Sequence, residues 1–269
     1  MGPLTVRVLS GVLLVAAVIG LIAVGRAGVY LMVVIVAGIA LWEFRGLSGG
    51  MGYRAPGWLL YPLGGVLVFS GTLLAGIPLQ AVLGVALVVG LSGFLVLPGG
   101  GQALGRWAMA LAGAVYVGVP LGYSLMLYDM ARRGPGWAWL LVIVVAVAVS
   151  DAAALLVGQR LGRHPFFPSI SPKKTVEGAA AGLACCVPVM WLGGVLLLGL
   201  APWHAAALGV LAGIAAQAGD LVESQMKRLA GVKDSSRLIP GHGGFLDRLD
   251  SLLFPLVVVF LYASYLDLL

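Results

Sequence analysis

Long apolar stretches, each broken by a few polar residues, follow one another along almost the whole chain. A helix that crosses the hydrocarbon core of a bilayer needs about 20 mostly apolar residues. Such segments are predicted near 6–24, 28–42, 58–76, 79–97, 107–127, 137–157, 178–200, 203–222 and 250–267. None alternates with the period of two that a membrane β-strand requires, and backbone polar groups cannot go unpaired in lipid, so helices remain. The expected fold is all-α: a polytopic integral membrane helical bundle of about nine transmembrane helices, forming a single membrane domain over 1–269. The first segment starts like a signal peptide, with Arg7 ahead of an apolar run. It lacks a small-residue cleavage site and leads straight into the second, so it is expected to stay as a helix.

Composition sharpens this picture. The 269 residues are 61% hydrophobic and 10% charged, with mean hydropathy +1.08, whereas a soluble domain is about half apolar. No polar stretch is long enough to bury a core of its own, and no repeat of fixed period is present. Cys185 and Cys186 are adjacent inside an apolar run. A disulfide there would be strained and metal-ligand spacing is absent, so both are read as packing residues.

Charge orients the segments. With nine spans, one side collects Arg7, Arg45, Arg54, Arg106, Arg160, Arg163, Lys173, Lys174, Lys227, Arg228, Lys233, Arg237 and Arg248, 13 of the 16 basic residues; Arg26, Arg132 and Arg133 fall on the other. Positive charge concentrates in cytoplasmic loops. The amino terminus is therefore expected in the cytoplasm, in an inner-membrane protein whose charged loops 158–177 and 223–249 both face the cytoplasm. The net charge of +6 follows from this topology, and no basic, aromatic-interleaved module to hold nucleic acid is present.

Seven of the ten acids, Asp151, Glu177, Asp220, Glu223, Asp234, Asp247 and Asp250, fall in or beside those two loops. Carboxylates bordering spans are rare and usually face a cavity, a partner charge or an ion. Asp220 and Glu223 are three apart near a helix end, and Asp247 and Asp250 repeat that spacing at the next span, so two pairs can converge. Hard oxygen ligands without His or Cys suit Mg²⁺, which completes its shell with water and substrate phosphates; one or two cations fit the pattern. Salt bridges to Lys227, Arg228 and Arg248 are the structural alternative. Interleaved with these acids, Lys173, Lys174, Lys227, Arg228, Lys233, Arg237 and Arg248 suit a polyphosphate. The run Pro240, Gly241, His242, Gly243, Gly244 lets backbone N–H groups approach a phosphate, with His242 a candidate contact. No Walker A or dinucleotide fingerprint is present.

Two stretches resemble one family. SQMKRLAGVKDSSRLIPGHGGFLDRLD, from Ser224 to Asp250 and preceded by Gly219 and Asp220, is similar to the signature of the phosphatidate cytidylyltransferases. SPKKTVEG, from Ser171 to Gly178, resembles that family's second loop element. The resemblance implies a Mg²⁺-dependent transfer of the cytidylyl group of CTP to phosphatidic acid. It divides the chain into amino-terminal helices, 1–130, and catalytic helices, 137–269. Asp220 and Asp247 would be metal ligands with Glu223 and Asp250 assisting, and Lys173, Lys227, Arg228, Lys233 and Arg248 would bind phosphates. Ser171, Thr175 and the loop backbone would place the nucleotide, with Lys174, Ser224, Asp234, His242 and Gly243 as further substrate contacts. After Ser150 and Asp151 the chain reads AAALLVGQRLG, where the family commonly shows a small hydroxyl residue and a Tyr, so nucleotide contacts from that segment are in doubt. The competing readings are a CTP-using lipid kinase, which passes the γ-phosphate, and a cation transporter, which would carry acids at mid-span. The Gly-rich helices permit a homodimer.

Overall fold

The computed structural model describes residues 17–18, 20–96, 102–239 and 243–269. These hold eight α-helices: α1 (Arg26–Gly50), α2 (Gly57–Phe69), α3 (Leu79–Val96), α4 (Ala103–Asp129), α5 (Gly136–Leu161), α6 (Val176–Leu196), α7 (Pro202–Leu229) and α8 (Asp250–Tyr265), with a 3₁₀ turn at Leu246–Arg248. There is no strand among the described residues, only the isolated bridges Pro165 to Thr175 and Ile239 to Gly243. The all-α polytopic reading holds. Among the described residues five helices, α1, α4, α5, α6 and α7, are long and apolar enough to cross a membrane. The predicted 6–24 segment lies largely outside the described residues.

Three boundaries differ from expectation for local reasons. The predicted 58–76 span is helical only over Gly57–Phe69, about 20 Å at 1.5 Å per residue. Gly71, Thr72, Gly76 and Pro78 follow, and the chain turns through them. The predicted loop 223–249 starts late, because Glu-Ser-Gln-Met-Lys-Arg-Leu is good helix-forming sequence and α7 continues to Leu229. It stops before Gly231, whose φ of 70° is the left-handed value of a helix end. Likewise α5 takes the start of the 158–177 loop and ends at Leu161.

The chain forms two compact units. Among the described residues, the first takes those up to Leu125 together with Met226–Arg248, and the second Met126–Gln225 together with Leu249–Leu269. In the first, α1 packs on α2, α2 on α3, and the 3₁₀ turn on α1. The α1–α2 corner is locked by Ser48, whose hydroxyl donates to the Arg45 carbonyl at 2.9 Å and accepts from Ala55 N at 3.0 Å. In the second, α5 and α6 are the closest pair. A Cβ at Gly178 would strike the Ala154 carbonyl and one at Gly182 the Ser150 carbonyl, so this small-xxx-small face lets the two backbones approach. Both cysteines are free, and Cys186 is buried beside Gly213.

Candidate active site

The sequence-predicted acids fall in two groups, one in each unit. In the first unit the segment after α7 folds back onto α1 and is held by two carboxylates. Asp247 Oδ1 accepts from Lys227 Nζ at 2.6 Å, with both side chains nearly buried. Its Oδ2 accepts from Gly244 N at 2.8 Å, Ser235 N at 2.9 Å and the Ser235 hydroxyl at 3.0 Å. Burial alone would raise the Asp247 carboxyl, but the Lys227 ammonium and the Gly244 and Ser235 N–H groups outweigh it and hold it below the ordinary carboxylate range.

The second carboxylate is Glu43, 1% exposed on α1. Its Oε1 accepts from the Ser236 hydroxyl at 2.5 Å and Phe245 N at 2.8 Å. Its Oε2 accepts from Leu246 N at 2.5 Å and lies 3.2 Å from the Ser235 hydroxyl, whose one proton it shares with Asp247 Oδ2. Glu43, Ser235 and Ser236 were not among the sequence-predicted site residues. The available signal was that Glu43 is the one acid before Asp129 and borders an apolar segment, and an ionisable residue in such a place is rarely idle. Gly244 belongs to the same knot: a Cβ there would collide with the Ser235 hydroxyl and the Glu43 carboxylate. Gly243, at φ 83°, turns the chain beside Asp247. Pro240, Gly241 and His242 lie outside the described residues. Arg228, Lys233, Asp234 and Arg248 are exposed around this segment.

The folded-state depression of Asp247 has a testable sign. An unfolded Asp titrates near 3.9, so the stabilisation is complete above about pH 4 and is lost as pH falls through the lower folded value. The difference in unfolding temperature between wild type and Asp247→Asn in detergent is therefore expected to be constant near neutrality and to shrink only in strong acid. A difference that is unchanged down to pH 3 would contradict this account.

In the second unit, Asp220 on α7 accepts from Lys174 Nζ at 2.5 Å through Oδ2 and from the Ser224 hydroxyl at 3.3 Å through Oδ1. Glu223, one turn on, is fully buried. Asp151 on α5 lies within electrostatic reach of Asp220, Asp250 and Lys174. Asp250 opens α8, and its carbonyl packs on Gly219, where a Cβ would collide with it. Ser251 N donates to Asp250 Oδ1 at 2.7 Å.

The loop between α5 and α6 brings Lys174 to this cluster. Phe166 N donates to the Lys174 carbonyl at 2.8 Å, Val176 N to the His164 carbonyl at 2.9 Å, and Ser171 N to the Phe167 carbonyl at 3.0 Å. Thr175, placed at the sequence level near the nucleotide, is the N-cap of α6, its hydroxyl accepting from Gly178 N at 3.2 Å. Glu177 accepts from the Arg163 and His164 N–H groups at 3.1 and 3.2 Å and meets His164 Nδ1 at 2.6 Å. Ser171 is half-buried and Lys173 exposed.

Among the described residues no three His, Cys, Asp or Glu side chains form a group that could hold a metal by themselves. Asp220 and Asp247 each hold a lysine ammonium at 2.5 and 2.6 Å instead. A cation is thus already stabilised at both carboxylates, by hard oxygens free of thiolate or imidazole, which is the donor set of Mg²⁺ when phosphates supply the remaining ligands.

A phosphatidate cytidylyltransferase of Mycobacterium bovis is 40% identical over 160 residues, which is 58% of this chain and 51% of that protein. Its counterpart in Mycobacterium tuberculosis strain H37Rv is 40% identical over 160 residues, 58% of this chain and 48% of that protein. One from Staphylococcus haemolyticus is 40% identical over 151 residues, 55% and 56% of the two chains. The chain therefore spans about half the length of these curated relatives. The cytidylyltransferase family profile, by contrast, matches residues 5–266. With that match running through both carboxylate clusters, the chain belongs to the cytidylyltransferase family.

Proposed function

We propose that the protein transfers the cytidylyl group of CTP to phosphatidic acid at the cytoplasmic face of the inner membrane, in phospholipid synthesis. A phosphate oxygen of phosphatidic acid forms a bond to the α-phosphorus of CTP, the bond from that phosphorus to the α–β bridging oxygen breaks, and pyrophosphate leaves with the electron pair. The products are CDP-diacylglycerol and pyrophosphate. The attacking phosphate is already ionised near neutral pH, so positioning and charge neutralisation supply most of the rate and a strong base is dispensable.

The observation that carries this reading is the pairing of Lys174 with Asp220 and of Lys227 with Asp247. Each pair offers a phosphate its ammonium while the carboxylate keeps a cation at hand. Asp247 in the first unit and Asp220 in the second are each a proposed holder of Mg²⁺, with buried Glu223 one turn along α7 from Asp220 and Asp250 at the start of α8. When bound, the ion neutralises the polyphosphate and polarises the reacting phosphoryl group. Lys173, Lys174, Lys227, Arg228, Lys233 and Arg248 take phosphate oxygens, and Ser171 with the loop before α6 positions the nucleotide. Arg228, Lys233, Asp234 and Arg248 are exposed, where solvent-borne CTP can reach them.

Purified protein in mixed micelles with phosphatidic acid, labelled CTP and Mg²⁺ is expected to release CDP-diacylglycerol and pyrophosphate in equal amounts, and EDTA is expected to stop both. Formation of CDP with a phosphorylated lipid alcohol would instead assign the chain to γ-phosphate transfer. Turnover undiminished by EDTA would remove the metal from the proposal.

A further inference from the structure

Positive charge gathers at the corner between α1 and α2, where Gly50 meets Ala230 of the segment after α7. Arg45 Nε donates to the Ala55 carbonyl at 3.0 Å, and Arg106 Nε, on α4, donates to the Arg54 carbonyl at 3.3 Å. Each bond uses the inner nitrogen of a guanidinium and leaves the two terminal nitrogens for another acceptor. Among the described residues none of Arg45, Arg54 and Arg106 is ion-paired with a carboxylate. Three arginines drawn together by backbone contacts at a membrane edge, without acids to balance them, call for an anion.

The neighbouring residues indicate which kind. Tyr53 and Trp58, on either side of Arg54, are 42% and 44% exposed, as aromatic side chains at headgroup level are. From Trp58 a groove of about 350 Å³ runs between α2 and α3, lined by apolar side chains that include Pro62, Val66, Val82, Val85 and Val89. Along α2 it covers the nine residues from Trp58 to Val66, roughly 12 Å of helix. Its arginine end is marked a second time: Trp107, next to Arg106, donates from Nε1 to the Ala86 carbonyl at 3.5 Å. The absent side chain of Gly90 makes room for the Trp107 ring. Positive charge, aromatic belt and apolar groove thus follow one another in the order of a phospholipid's phosphate, glycerol backbone and acyl chain.

We propose that this corner binds an anionic glycerophospholipid of the surrounding bilayer, its phosphate against Arg45, Arg54 and Arg106 and one acyl chain in the groove between α2 and α3. A free nucleotide or inorganic phosphate would leave the groove empty, and a zwitterionic lipid would bring its own cation toward three arginines. The proposal does not depend on the transfer reaction.

The test uses the full chain in phosphatidylcholine nanodiscs containing a small fraction of phosphatidylglycerol with a photoactivatable diazirine in one acyl chain. After irradiation, adducts are mapped by peptide mass spectrometry. Adducts are expected to concentrate on residues 58–66 and 81–89. They are expected to fall about fivefold for each arginine removed in Arg54→Gln and Arg106→Gln, to survive Arg54→Lys with Arg106→Lys, and to weaken at high salt. Phosphatidylcholine with the same diazirine should label lipid-facing helices evenly and ignore the arginine changes. Equal labelling of the groove by the two lipids, or labelling unchanged in a double glutamine variant that unfolds like wild type, would overturn the proposal. Should that double variant not fold, the exposed Arg54→Gln alone and the groove-filling Val85→Phe decide it: both must lower labelling by the anionic probe, and wild-type labelling in both refutes it.

Discussion

Replacing Glu43 with glutamine is expected to destabilise the protein by about 2–3 kcal/mol and to lower turnover by roughly a hundredfold, although residue 43 lies in the amino-terminal helices. The argument rests on donors and acceptors. Each carboxylate oxygen of Glu43 faces one backbone N–H that cannot turn away: Phe245 N at Oε1 and Leu246 N at Oε2. Each also faces one hydroxyl, from Ser236 and Ser235. The hydroxyls can rotate and accept, but the backbone groups can only donate. A glutamine amide, in either orientation, therefore sets an NH₂ against a buried N–H and leaves that donor without a partner. The segment so loosened contains Gly244 and Asp247 and closes onto Lys227, and displacement of such a phosphate-binding segment by about 1 Å is enough for the rate loss. Thermal unfolding in detergent and the turnover assay check both halves, and faster proteolysis within 235–246 would locate the damage. A Glu43→Gln protein with wild-type melting and rate would show that the four hydrogen bonds position nothing.

The spans were legible because lipid forces the backbone into helices and makes each segment long and apolar; their ends were not, because ends are decided by single residues. Gly71 to Pro78 ended α2 early, and the helix-forming run from Glu223 to Leu229 carried α7 into what hydropathy read as loop. At the site, the clustering of acids and bases in two loops pointed to Asp220, Asp247, Lys174 and Lys227, yet nothing in the spacing told which lysine meets which carboxylate. Lys174 is 46 residues from Asp220 in sequence, and only the fold of the loop before α6 brings them to 2.5 Å. Glu43 escaped for the same reason. Its partners are about two hundred residues away, and a one-dimensional pattern carries no information on so distant a contact. Its acidity at the border of an apolar segment was the visible trace of it.

Asp220→Asn is expected to reduce turnover about a thousandfold, the several kcal/mol that a bound divalent cation contributes to a phosphoryl-type transition state, while the protein stays folded. Stability should hold because the Asp220 side chain is 28% exposed and the close packing at this point comes from Gly219 against the Asp250 carbonyl. Removing one negative charge from the neighbourhood of Asp151 and Asp250 relieves repulsion and offsets the lost ion pair with Lys174, so the unfolding temperature is expected to stay close to wild type. The rival explanation is that Asp220 serves only to hold Lys174 in place. Lys174→Ala separates the two. If Asp220 only anchors the lysine, both variants lose the same factor, and the loss appears as a higher KM for CTP with an unchanged Mg²⁺ requirement. If Asp220 holds the cation, Asp220→Asn lowers kcat and raises the Mg²⁺ concentration needed for half-maximal rate, whereas Lys174→Ala acts mainly on KM for CTP because it removes a phosphate contact. A wild-type rate in Asp220→Asn, or identical losses in the two variants at every Mg²⁺ concentration, would take Asp220 out of the metal site and leave it as a lysine anchor.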